Sequence, residues 1–302
     1  MISLWKPPMP PGPSPMYQDQ QPASNDNRAA DVELDQFYTL PSVARRLYAV
    51  LAGLFDLSLF LMIEPSAGDG AFFRLMLAGS LGFDLDPKWP GLITTDFLGI
   101  RVSSDRKILI LGNPPFGRNA SMAKRFFNHA ALQADVIAFI LPRSFRKAAI
   151  QNCLNELFHL LHEEDVGRDA FVFRSRPKHV PAVFQVWVRR STSRALRPVE
   201  TRHPDFEFIK ADEMDEAERA SRADFCIQRV GARAGRVHHD FGKSPSSHYF
   251  IKGDVEWIMS QLDFDSVTGD VAGNPSLAKN EIVQLYREFL GSRTGAQARV
   301  AR

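Results

Sequence analysis

Four consecutive residues, Asn113-Pro114-Pro115-Phe116, carry more chemistry than any other stretch of this 302-residue chain. The two prolines fix two φ angles and remove two backbone donors, so the turn is stiff and offers carbonyl oxygens with no adjacent N–H competing for them. Asn113 adds an amide oxygen, Pro114 a main-chain carbonyl and Phe116 a flat ring, a set that suits a planar group bearing an NH2. An exocyclic amine of a nucleobase fits that description. Taken alone, the tetrapeptide is equally a rigid surface turn. Its place argues for more: it follows the apolar run Ile108-Leu109-Ile110-Leu111, and the ends of buried strands are where α/β proteins keep their ligands.

A second loop precedes it. Leu59-Phe60-Leu61-Met62-Ile63 stops at Glu64-Pro65-Ser66-Ala67-Gly68-Asp69-Gly70, and Ala71 to Met76 has helical character, so strand, glycine turn and helix are expected in that order. Gly68 and Gly70 permit close approach by a ligand, while the flanking acids repel a phosphate. A positively charged nucleoside suits the loop better. The third glycine of a dinucleotide fingerprint is absent, with Phe73 in its place, which counts against NAD. Asp84 follows sixteen positions after Gly68 in Leu81-Gly82-Phe83-Asp84, and Asp96 ends Ile93-Thr94-Thr95-Asp96. A carboxylate such as Asp84 can accept two O–H bonds at once. Singly, each is an ordinary strand-end aspartate. Upstream, Gln36-Phe37-Tyr38-Thr39-Leu40-Pro41-Ser42 leads into a helix over Arg45 to Leu54, with Thr39 or Ser42 as its cap.

The tetrapeptide resembles the Asn-Pro-Pro-Tyr/Phe motif of amino-methyltransferases, which methylate adenine N6, cytosine N4, guanine N2 or a protein glutamine amide. The glycine loop looks like motif I of class I S-adenosylmethionine-dependent methyltransferases. The Phe37-Tyr38-Thr39 phrase resembles motif X of DNA adenine methyltransferases, with Leu40 where that pattern often has proline. The resemblance implies an α/β fold with a Rossmann-like seven-stranded sheet, mostly parallel, closed by a C-terminal antiparallel hairpin. It implies S-adenosyl-L-methionine as cofactor, held by Tyr38, Thr39, Glu64, Pro65, Ser66, Ala67, Gly68, Gly70, Asp84, Asp96 and Asn113. Asp84 would take the ribose hydroxyls and Asp96 the adenine amino group, with Asn113, Pro114, Pro115 and Phe116 forming the transfer site. Asp135 to Phe145 looks like motif VI. Ala170 to Phe173 and Ala182 to Val188 form the expected hairpin, and by resemblance Phe171 or Phe173 would stack on an extruded base.

These elements sit in a chain of ordinary size for one catalytic domain and a smaller second one. Residues 1–30, rich in Pro, Gln, Ser and Asn, are expected to be a disordered arm, 31–200 the catalytic domain, 201–290 a recognition region and 291–302 a disordered tail. Net charge is only +2, yet basic residues crowd Arg174, Arg176, Lys178 and again Arg229, Arg233, Arg236, Lys243. Such clusters are as often a solvated face; flanking a base-methylation motif they favour a polyanion. The segments 223–231 and 247–252 read as two short strands joined by a basic loop that could enter a groove. A helix over Ser276 to Leu290 reads as packing rather than reading DNA.

The order of cofactor motifs, catalytic motif and recognition region resembles the gamma arrangement of DNA adenine-N6 methyltransferases. Double-stranded DNA is the expected partner, and a restriction endonuclease partner is not indicated. RNA base amino-methylation, cytosine N4 methylation, protein-glutamine methylation and a non-catalytic nucleic-acid-binding protein are the alternatives. Cys153 and Cys226 are isolated, so neither a disulfide nor a zinc site is indicated and no metal is expected. With no span of membrane length and no signal-peptide core, the protein is expected to be cytoplasmic.

Overall fold

The computed structural model describes residues 3–5, 38–167, 170–173, 176–178, 180–269 and 275–300, and the side chains of these except at 3–5, 173, 176–178 and 293–300. Two compact units emerge: Met1–Phe145 with Ile150–Leu196, and Arg146–Ala149 with Arg197–Arg302. The second unit thus borrows a four-residue segment from far upstream, of which composition gives no sign.

In the first unit, described strands are β1 (Ser3–Trp5), β2 (Tyr38–Thr39), β3 (Phe60–Glu64), β4 (Leu81–Asp84), β5 (Ile93–Thr94), β6 (Arg101–Ser103), β7 (Lys107–Gly112), β8 (Val136–Pro142), β9 (Phe158–Val166), β10 (Phe171–Phe173), β11 (Arg176–Lys178) and β12 (Ala182–Arg189). Seven of them form one sheet in the order β5-β4-β3-β7-β8-β12-β9. Strands β5, β4, β3, β7 and β8 run parallel, and β12 is antiparallel to both β8 and β9. The chain starts this sheet at β3 and grows outward through β4 and β5 before returning to β7 on the other side. The switch point therefore lies between β3 and β7, where a crevice opens at the carboxyl ends.

Buried strands alternate their side chains between two covered faces. Leu61, Ile63, Ile110, Ile137 and Phe139 pack with Ala123, Phe127 and Ala130 of helix α2 (Ser121–Ala130). Met62, Leu109, Leu111, Ala138 and Phe184 pack with Ala44, Leu47 and Leu51 of helix α1 (Pro41–Leu54). Helix α1 starts earlier than Arg45. Pro41 sits in its first turn and Leu40 at the cap, without a side-chain hydrogen bond, so neither Thr39 nor Ser42 serves as the cap. Proline's fixed φ and absent N–H suit that position and make a polar cap dispensable.

Three expectations are corrected here. No helix follows the glycine loop: Ala71 to Met76 contains only a single 3-10 turn, Phe73–Leu75. The chain re-enters the sheet at Leu81, too soon for a helix and a return, and Phe72 is fully buried in the core. The hairpin partner of β12 is β9 rather than β10, which pairs with β11 and β2 in a separate three-stranded sheet. Strand β9 is an edge strand, and its run of Glu163, Glu164 and Asp165 is at least partly exposed, which hid it as a strand. Of the arm over residues 1–30, Ser3–Trp5 is an ordered strand paired with β6; the rest lies outside the described residues.

The second unit carries a four-stranded antiparallel sheet, β13 (Glu207–Ile209), β14 (Phe225–Gln228), β15 (Val237–His238) and β16 (His248–Lys252), in the order β13-β16-β14-β15. Helix α3 (Glu216–Arg222) begins at an Asp215/Glu218 capping box. Helix α4 (Lys279–Val300) packs Ile282, Val283 and Tyr286 against Phe225, Ile227 and Ile251. It continues past Gly291, where a free tail was expected: one glycine costs a helix only about 1 kcal/mol, and Arg, Gln and Ala residues follow it. Glu281, at the start of α4, receives the Lys147 ammonium at 2.8 Å, with the two side chains 8% and 16% exposed. No described helix is long and apolar enough to cross a membrane.

Candidate active site

The parallel register aligns Ile63 of β3 with Ile110 of β7, so the glycine loop and the Asn-Pro-Pro-Phe turn leave neighbouring strands side by side. Gly112 makes the approach close: a Cβ there would stand 3.2 Å from Pro65 Cδ and 3.5 Å from Glu64 Cγ. Sequence reasoning passed over this glycine, although a lone glycine in a strand marks close backbone contact.

Backbone hydrogen bonds fasten the glycine loop. Gly70 N–H donates to Ala67 O at 2.6 Å, and Lys88 N–H to Gly68 O at 2.8 Å. Gly68 N–H donates to Asp84 Oδ2 at 2.7 Å, and Asp86 N–H to Asp84 Oδ1 at 2.8 Å. Asp84 is thereby fixed at the tip of β4, both oxygens oriented and each retaining acceptor capacity. Gly68 and Gly70 have φ of +53° and +75°, and a Cβ would meet Tyr38 Cε1 at 2.9 Å and Trp89 Cγ at 2.8 Å. Both glycines are therefore demanded by sterics. Trp89 also lies under the Arg74 guanidinium, 4.5 Å from the ring centroid, and Arg74 Nε bonds Gly70 O at 3.0 Å. Neither Trp89 nor Arg74 bore a motif signal in the sequence.

Glu64, read as an acid bordering the loop, is buried, and its Oε2 accepts the Phe73 N–H at 2.6 Å. Burial holds its carboxyl well above the usual carboxylate range, against the pull of the Phe73 and Phe72 N–H groups. It braces the loop from beneath and presents no face to a ligand. Burial likewise raises Asp69, with Arg74 opposing, and raises the Tyr38 phenol.

On the other strand end, Asn113 Nδ2 donates to Thr39 Oγ1 at 3.2 Å. This bond turns the amide so that its oxygen lies on the opposite edge. Among the described residues no hydrogen bond is made to the Pro114 carbonyl. Leu40 has a reason here: its N–H donates to Ala170 O at 2.9 Å, a bond proline could not make, and β2 pairs with β10 beside it. Asp96 spends Oδ1 on the Leu98 N–H at 2.9 Å, capping the 3-10 turn Phe97–Gly99, and is exposed.

Two aromatic assignments change. Phe171 is fully buried in the core and offers no ring face to a base. Phe116 is 9% exposed and packs in that same cluster, so little of it reaches the surface. The Phe173 side chain, Arg174 and the side chains of Arg176 and Lys178 lie outside the described residues. In the second unit, Val237–His238 of the basic loop after β14 folds back on that strand as β15. Arg233, Arg236 and Lys243 line a cavity there, and Arg229 lies over the Tyr249 ring at 4.9 Å. Among the described residues no cluster of His, Cys, Asp or Glu could hold a metal ion.

No family model and no curated protein matches the sequence. Solved structures do resemble part of the chain. An assigned RNA methyltransferase of Pyrococcus horikoshii is 16% identical over 52% of this chain and 88% of its own, with a TM-score of 0.42. The modification subunit of an assigned type I restriction enzyme from Vibrio vulnificus is 16% identical over 54% and 46%, with a TM-score of 0.37. Magnesium protoporphyrin IX methyltransferase from Synechocystis, solved with bound S-adenosylmethionine, is 15% identical over 58% and 88%, with a TM-score of 0.36. At such scores the site's own geometry has to carry any assignment.

Proposed function

We propose that the chain is an S-adenosylmethionine-dependent methyltransferase acting on the exocyclic N6 amine of adenine in DNA. The observation that carries this reading is the pairing of two strand ends at the switch point: a glycine loop tied to Asp84, and Asn113-Pro114-Pro115-Phe116 beside it. The residues fit the cofactor: two glycines with no room for a Cβ, a carboxylate fixed by two backbone N–H groups for the ribose hydroxyls, and the Tyr38 ring over Gly68. When bound, the cofactor supplies an electrophilic methyl group on a sulfonium.

The protein's task is to make a poor nucleophile attack. The amine lone pair is delocalised into the base, and two acceptors, Asn113 Oδ1 and the Pro114 carbonyl, would each take one amino hydrogen and draw the nitrogen toward tetrahedral geometry. Thr39 orients the Asn113 amide for this role. No covalent enzyme intermediate is needed. The target atom is out of reach inside a duplex, so the base must leave the stack, and Phe116 of the same turn would flank it.

The test is incubation of the purified protein with tritiated S-adenosylmethionine and, separately, unmethylated duplex DNA, RNA and protein, followed by nucleoside mass spectrometry. N6-methyladenine in DNA is the expected product. Label confined to RNA or protein, or N4-methylcytosine alone, would refute the substrate assignment.

A further inference from the structure

The second unit holds a cavity of about 530 Å3 that the transfer chemistry does not use. Arg233, Arg236 and Lys243 line it with His238, His248 and the Gln228 amide. Asp240 is its one acidic lining residue and lies 3.0 Å from the Lys243 ammonium, so positive charge from the two arginines is left in excess. The cations are mounted on a fastened turn. Gly235 N–H donates to Gln228 O at 2.7 Å, and Gln228 N–H to Arg236 O at 2.9 Å. Gly235 has a φ of +96°, and a Cβ there would lie 2.4 Å from Phe264 Cβ, so the backbone is wedged against that side chain.

The histidines add directed donors. Asp240 N–H donates to His238 Nδ1 at 3.1 Å, which puts the proton of the neutral ring on Nε2. His248 uses Nδ1 on Ser247 Oγ at 2.9 Å, and its ring meets His238 edge-on with centroids 5.1 Å apart. Two arginines, a lysine and two imidazoles converging in one concavity match the several acceptor oxygens of a phosphoryl group. The volume exceeds what a free anion fills and is that of a small-ligand site.

From this convergence we infer that the cavity is a phosphate-ester site that holds one phosphoryl group of a nucleic acid, apart from the methyl-transfer site. The occupant rests on the nucleic-acid reading above; the phosphoryl chemistry does not. Binding is coupled to protons. Burial, then the neighbouring His248 and Arg236, holds His238 below the ordinary histidine range, and burial does the same to His248. The groups facing the pair are Arg233, Arg236, Lys243 and Asp240. A bound anion reverses the balance and raises both rings, so protons are taken up on binding and affinity rises as pH falls.

The full-length protein, labelled in its histidines for NMR, would be titrated with phosphate and with sulfate, whose charge is constant between pH 6 and 8. Sulfate is expected to shift the His238 and His248 ring signals and to bind more tightly at pH 6 than at pH 8. Arg233→Gln and Arg236→Gln are each expected to weaken binding about 10-fold or more. Arg222→Gln, on the exposed face of α3 and outside the cavity, should leave it unchanged. Tighter binding of a 5′-phosphorylated oligonucleotide than of its 5′-hydroxyl counterpart would identify a terminal ester, and equal binding an internal diester. Silent histidine signals, or unchanged affinity in both arginine variants, would overturn the site. Anion binding that neither oligonucleotide displaces would overturn its occupant. Absence of methyl transfer with the histidine response intact would count against the transfer site alone.

Discussion

Gly70→Ala tests the glycine loop most directly, because its cost can be assembled from geometry. At φ +75° an alanine carries left-handed strain of about 1–2 kcal/mol. Its Cβ would stand 2.8 Å from Trp89 Cγ and 2.9 Å from Trp89 Cβ, atoms too near the backbone to swing aside. Relief requires moving the ring from beneath Arg74, so an overpacking cost of about 1–3 kcal/mol is added. The sum is about 2–5 kcal/mol, which lowers the melting temperature by roughly 4–20 °C. Gly53→Ala is the matched control. That glycine lies in α1 with open space around its Cβ position, and alanine should stabilise by about 0.5–1 kcal/mol. Thermal unfolding followed by circular dichroism gives both numbers, and calorimetry should show S-adenosylmethionine affinity on the order of 10-fold weaker for Gly70→Ala alone. A Gly70→Ala protein that melts and binds like the wild type would refute the picture of a loop closed over by Trp89.

Four further outcomes are expected. Asn113→Ala should lower single-turnover methyl transfer by about 10²–10³ while cofactor affinity measured by calorimetry stays within a few-fold; joint loss would mean a folding role instead. Glu64→Gln keeps an acceptor for the Phe73 N–H and removes a buried ionisable group. The native carboxyl holds its proton above the pH at which the unfolded chain releases it, so wild-type stability falls as pH rises from about 4.3 through the raised value. Relative to wild type the variant should therefore gain about 1.4 kcal/mol per pH unit in that window, and parallel denaturation profiles would contradict this. The Cys226 thiol is pushed up to about 12 by burial whereas Cys153 is exposed, so a thiol reagent at pH 8 should modify Cys153 and spare Cys226 until denaturant is added. Glu281→Ala leaves the Lys147 ammonium the Ser276 carbonyl at 3.4 Å in place of a carboxylate and should destabilise the second unit by on the order of 3 kcal/mol in urea titrations.

Strand ends were legible in the sequence because apolar runs stop abruptly at glycine, proline or a carboxylate, and Glu64, Asp84 and Gly112-Asn113 are such stops. What sequence could not supply was pairing. Strand β9 shows no apolar run since one of its edges and much of its surface face water, so β12 was matched with the nearer β10. Nor does a residue type reveal its exposure. Phe171 and Phe116 looked available for a base, yet aromatic rings beside a sheet are drawn into its core. Leu40 shows the reverse: a departure from a familiar pattern became intelligible once its N–H was seen to reach Ala170.

The four residues Arg146–Ala149 have a consequence for how the chain is made. The last sheet strand of the first unit, β12, ends at Arg189, so that sheet can close while the second unit is still being synthesised. Lys147 waits for a partner 134 residues later, roughly 7 to 27 seconds at ordinary elongation rates. Until then its ammonium stays in water, and Arg146 O lacks the Arg197 guanidinium that later bonds it at 2.9 Å. The second unit is therefore no detachable cassette. Grafting residues 197–302 onto another chain would leave Glu281 without its cation, so any transplant of the second unit would have to carry the short upstream segment as well.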